Sequence, residues 1–233
     1  MPPFVALLEP TSNTLYLLFV WGLFIVTIRA YPLLKPARKR TAFWFVAALF
    51  MLGMGDAVHL IPRVYVAFAG LSGRTLETAR WFGVGRAASS FTLSFFYLFL
   101  MLYAWRKFDL PWTGWMWVLV VACGVRLGML FFPQNAWFVN EYTPWKFYRN
   151  IPFVVQGVGV VILFLHYAKR ASAATAKLLR GTAYTIVVSF AFYMATLVGV
   201  LWNPLWGMMM LPKTLAYVVA IWLLYCVEFK SDW

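Results

Sequence analysis

The chain has 233 residues, of which 64% are hydrophobic, 20% aromatic and only 12% charged, with a formal net charge of +13. A water-soluble domain carries about 25% charged residues, and the mean hydropathy here is +0.77. A soluble enzyme, a nucleic-acid-binding domain and a disordered chain are therefore excluded, and the sequence reads as an all-α, polytopic membrane protein.

Apolar runs long enough to cross a bilayer predict seven spans, at about 14–31, 42–61, 86–105, 113–132, 152–168, 181–202 and 207–228. Seven spans of about 20 residues leave only about 90 positions for two termini and six loops. A single transmembrane bundle over residues 1–233 is expected, with no separate soluble domain. No Lys or Arg precedes Arg29, so the basic leader of a signal peptide is missing and the first span is expected to be a permanent helix.

The first connection carries Arg29, Lys35, Arg38, Lys39 and Arg40. The third carries Arg106 and Lys107, and the fifth Lys169, Arg170, Lys177 and Arg180. Basic connections alternate with less basic ones, which places the N-terminus outside and the C-terminus inside, in a plasma or bacterial inner membrane. The positive charge then lies against anionic lipids of the inner leaflet, and no nucleic-acid partner is implied. Cys123 and Cys226 fall inside apolar runs and read as small buried hydrophobes.

Two outer connections are more than linkers. In 63–85, Gly70, Ser72 and Gly73 precede Thr75-Leu-Glu-Thr-Ala-Arg80, and a short interfacial helix is expected after the turn. In 133–150, six aromatic residues from Trp137 to Tyr148 alternate with polar groups. This is the pattern of an interfacial aromatic belt, or of a loop that covers a ligand.

Polar groups inside the spans are costly and point to function by default. Span 2 ends Gly53-Met-Gly55-Asp56-Ala-Val-His59-Leu-Ile-Pro62-Arg63. Asp56, His59 and Arg63 stand at i, i+3 and i+7 and share one helix face. Gly53 and Gly55 permit close approach of a neighbour, and Pro62 frees a backbone carbonyl one turn back. Asp56 reads as the only acidic residue well inside any span.

With the predicted topology, Arg86, Arg126, Gln134, Asn135, Arg149, Asn150, Gln156, Asn203 and Lys213 join this face in the outer half of the bundle. Such a layer predicts a cavity for an anionic ligand, since arginine gives bidentate contacts to phosphate or carboxylate. The expected ligand-binding residues are Arg63, Arg86, Arg126, Arg149, Gln134, Asn135, Asn150, Gln156 and Lys213. His59 is expected to act as general base and Asp56 as a charge stabiliser. The bland alternatives are arginines that snorkel to headgroups, and an Asp56–Arg126 ion pair that only fixes helix register.

His59 and His166 lie toward opposite ends of the bundle, so no shared metal site is expected. No nucleotide-binding or nucleophile motif is present, and no cofactor is expected. Three functions fit these residues. The first is an enzyme acting on an anionic lipid or lipid-like substrate. The others are a transporter or binding protein for a small anion, and a non-catalytic subunit or sensor that works through a protein partner. Membrane lipids are partners in each case.

Overall fold

The structure is a computed structural model that describes residues 3–73, 75–138 and 144–230. Every regular element among them is helical: α1 (Pro3–Ala30), α2 (Pro36–Phe68), α3 (Leu76–Lys107), α4 (Gly114–Leu130), the single-turn α5 (Trp145–Tyr148), α6 (Ile151–Ala168), α7 (Ala173–Gly199) and α8 (Met210–Tyr225). Each predicted span has one of these helices at its centre. Six are long and apolar enough to cross a membrane, while α4, with 17 residues, is shorter. The protein is a helical membrane bundle.

The expected separate helix at 75–85 is not formed, and this stretch is instead the beginning of α3. Thr75 caps it, accepting from the Thr78 amide at 3.2 Å, while the Thr78 hydroxyl donates to the Ser72 carbonyl at 3.2 Å. No helix breaker follows, so the helix runs straight into the apolar span. In the turn that precedes it, Gly70 takes a φ of +64° that suits a residue without a Cβ.

Helices adjacent in sequence lie side by side, α3 also touches α6, and α1 returns to α8, so the seven apolar helices close into a ring. The tightest crossing is α2 on α3. A Cβ on Gly55 would stand 1.7 Å from Thr92 Oγ1, and one on Gly85 would stand 2.8 Å from the His59 Cα. In a bilayer, where apolar side chains gain nothing by leaving lipid for protein, such small-residue contacts supply the packing. The carbonyl of Val58, one turn before Pro62, sits in this crossing, 2.9 Å from the same point on Gly85.

One end of the bundle gathers the basic segments. Glu228, fully buried, accepts from Lys107 Nζ at 2.6 Å and from the Tyr103 hydroxyl at 3.1 Å, and Arg38 donates to the Glu228 backbone carbonyl. The start of α2, the end of α3 and the π-turn Cys226–Lys230 are thereby tied together. Glu228, the last residue of the seventh predicted span, is thus a second acid within the bundle besides Asp56. Glu228 falls at the edge of its apolar run, where the sequence pattern does not mark it as buried. The middle of the ring is an apolar core that includes Phe45, Leu49, Leu100, Met101, Phe164 and Ile221.

Candidate functional site

At the opposite end the helices part around a cavity of about 490 Å³. Its wall takes Tyr16 from α1, Asp56, His59 and Arg63 from α2, Arg86 and Ser89 from α3, Arg126 from α4 and Lys146 from α5. Arg149 and Phe153, then Tyr193 of α7 and Lys213 and Tyr217 of α8, complete the circuit. The 3.6-residue period of α2 brings Asp56, His59 and Arg63 onto the cavity face together, as the sequence pattern predicts. Six lysines and arginines face two carboxylates, Glu9 and Asp56.

Arg126 is the deepest of these cations and is only 2% exposed. Its guanidinium carbon lies 3.7 Å from the centre of the Phe153 ring, and its Nε and Nη1 have no hydrogen-bond partner among the described residues. Lys213 Nζ sits 5.0 Å from the Tyr193 ring and 5.5 Å from that of Tyr217, whose hydroxyl shares a 2.8 Å hydrogen bond with Tyr97. Asp56 shares the cavity with both cations but lies within ion-pair distance of neither. Its carboxylate accepts from the Tyr16 hydroxyl and, at 3.4 Å, from Ser89. The Asp56–Arg126 ion pair considered from sequence is not formed.

The other arginines are held by their own partners. Arg149, 8% exposed, donates to Asn135 Oδ1 at 2.8 Å and lies over the Trp137 ring, 4.1 Å from its centre. Arg86 donates to the Trp137 carbonyl at 2.6 Å. Both are clamped to the 133–138 segment rather than snorkelling outward. Arg63 is half-buried, with a 3.8 Å ion pair to Glu9 and the Phe82 ring beneath it. His59 is half-buried and lines the cavity, and its Nδ1 is packed without a hydrogen-bond partner among the described residues, near Gly85.

Four predicted ligand residues do not line the cavity. Gln134 is exposed. Asn135 closes the C-terminal end of α4, giving its amide to the carbonyls of Met129, Leu130 and Phe132, and thereby orients Arg149. Asn150 donates to the Lys146 carbonyl at 2.6 Å. Gln156 donates to the Ser94 carbonyl at 3.2 Å between α6 and α3. Helix termini and tight helix crossings leave carbonyls that need donors, and amides serve them. Residues 139–143 of the aromatic loop lie outside the described residues.

Sequence reasoning missed Tyr16, Ser89, Lys146, Tyr193 and Tyr217. In an apolar run a tyrosine reads as core, and only the helix crossings show that these hydroxyls meet charged groups. A second, larger groove of about 800 Å³ lies on the far side of the α2–α3 pair. It is lined by Met54, Val58, Phe91, Phe132 and other apolar residues, with no charged side chain, and reads as a lipid-facing furrow.

Fold and cavity together define the class: an integral membrane bundle of seven apolar helices with a cation-rich cavity at one end. Comparison with protein-family models, with curated proteins and with solved structures finds no match to the chain.

Proposed function

We propose that the protein captures an anionic headgroup in this cavity and acts on an anionic lipid or lipid-like substrate, with His59 as the proton-accepting group. The observation that carries this reading is Arg126, a fully buried guanidinium with unused donors and no carboxylate beside it. Burying an unpaired charge is expensive, and an incoming anion that takes those donors removes the penalty. His59 lines the cavity wall, whereas Asp56 is already engaged by Tyr16 and Ser89 and acts as a fixed charge.

The apolar core beneath Tyr97 and Tyr217 supports capture over passage, because the buried hydroxyls of Thr27 and Thr182 are spent on carbonyls of their own helices rather than lining a path. The test is native mass spectrometry of detergent-released protein, followed by a search for turnover of the bound species. An adduct of anionic-lipid mass is expected in the wild type and in His59→Ala, but not in Arg126→Ala. Turnover is expected to vanish in both variants. Retention of the adduct in Arg126→Ala, or full turnover by His59→Ala, sinks the respective half of the reading.

A further inference from the structure

The mouth of the cavity differs from its floor. On one side stands the Glu9–Arg63 pair. On the other are Leu205 and Met208 from the connection into α8 and Leu211 from the first turn of α8, with Leu8 of α1 also in the lining. Leu205 is 52% exposed and Met208 38%, so both line the cavity while facing outward. The surface beside them carries Leu7, Trp202 and Trp206, all exposed. A mouth that served only water-borne anions would have a polar rim all round. An apolar half-rim flanked by exposed tryptophans belongs at the bilayer interface.

The apolar wall is also the least regular part of the bundle. Pro204–Met209 forms a six-residue 3₁₀ segment, anchored where the Asn203 side chain accepts from the Leu205 amide at 2.9 Å. A 3₁₀ run beyond three or four residues is uncommon and marks a place where the backbone has alternatives. Met208, Met209 and Met210 follow one another here, and unbranched thioether side chains adapt to irregular apolar partners.

On the floor, Arg126 and Lys213 have no carboxylate within ion-pair distance among the described residues; the pairs that form are Arg63–Glu9 and Lys107–Glu228. A phosphate monoester carries close to two negative charges at neutral pH, whereas a phosphodiester or a carboxylate carries one. Six cations against two carboxylates on the cavity wall leave a surplus of positive charge, which the former offsets more fully than the latter.

Resting on the anion-capture reading above, we infer that the ligand is a lipid phosphate. Its phosphomonoester or diphosphate head sits on Arg126 and Lys213, and its hydrocarbon tail leaves past Leu8, Leu205 and Met208. Head and tail then meet surfaces of their own polarity at once, which neither a free phosphate nor an uncharged lipid does.

The test uses the full chain in detergent and compares four probes by thermal shift and native mass spectrometry. These are dioleoyl phosphatidic acid, dihexanoyl phosphatidic acid, dioleoyl phosphatidylglycerol and inorganic pyrophosphate. Dioleoyl phosphatidic acid is expected to bind at least tenfold more tightly than each of the others. Leu205→Asn/Met208→Asn is expected to weaken dioleoyl phosphatidic acid by about tenfold more than it weakens pyrophosphate, and Arg126→Gln to weaken both. Equal binding of phosphatidic acid and phosphatidylglycerol overturns the phosphomonoester assignment. Equal binding of the two chain lengths by the wild type overturns the tail path, and needs no variant to fold. Binding of no probe, or Arg126→Gln binding as wild type, removes the anion-capture reading itself.

Discussion

Arg126 and Asp56 look like natural partners in the sequence, yet each finds other company in the fold. Placing an arginine at mid-span costs about 2.5–3.5 kcal/mol on insertion scales. A desolvated ring such as Phe153 under the guanidinium returns about 2 kcal/mol, and no carboxylate supplies the rest. A residue kept for stability would be arranged differently. Arg126→Leu is therefore expected to melt at or above the wild-type temperature in detergent while losing the anion adduct. A clear fall in melting temperature, measured by intrinsic fluorescence, would show that Arg126 holds the bundle together. Asn135 is the opposite case. It reads as a ligand residue by its position, but its amide is consumed by three α4 carbonyls and its oxygen by Arg149. Residue type and depth were legible in the sequence, but hydrogen-bond partners were not, because those come from other helices.

Between elements, two devices hold the ring. The α2–α3 crossing depends on Gly55 and Gly85, where any side chain would collide with the facing helix. At the far end, Glu228 joins α8 to α3 through Lys107 and to α2 through Arg38. Removing one member of a buried ion pair leaves the other charge uncompensated, at about 3–5 kcal/mol, whereas removing both can be nearly neutral. Lys107→Met and Glu228→Gln are each expected to lower thermal stability markedly, and the double variant to lose less than the sum of the two. Additive losses in that cycle would mean that the pair contributes nothing beyond its separate side chains. Glycine spacing on α2 announced the crossing in advance. Glu228 did not announce itself, since the sequence pattern does not mark a glutamate at the end of an apolar run as buried.

For the whole molecule, the arrangement is polar by end. Arg38, Lys107 and Glu228 meet at one end, and the cavity opens at the other. By the positive-inside rule the cavity is expected to face outward. Trp202, 78% exposed near the cavity mouth, and Thr113, exposed before α4 at the basic end, offer a direct check. In a background with both native cysteines replaced, Trp202→Cys is expected to react with a membrane-impermeant maleimide on intact cells. Thr113→Cys is expected to react only after lysis. The reverse labelling would invert the bundle and place the cavity inside.

Composition and run length by themselves determined that this chain is a helical membrane protein, and roughly where each helix lies. Burial of backbone in lipid permits little else, and the apolar runs are long. The charge alternation of the loops gave an expected orientation in the membrane, and the 3.6-residue period placed Asp56, His59 and Arg63 on one face. Tertiary structure alone decided what those groups meet. The closure of α1 on α8 sets Tyr16 against Asp56, and the approach of α4 to α6 lays Arg126 on Phe153. The long 3₁₀ segment before α8 makes half of the cavity mouth apolar. Each depends on a crossing between distant parts of the chain, whose angle and register are set by packing and leave no periodic trace in the sequence.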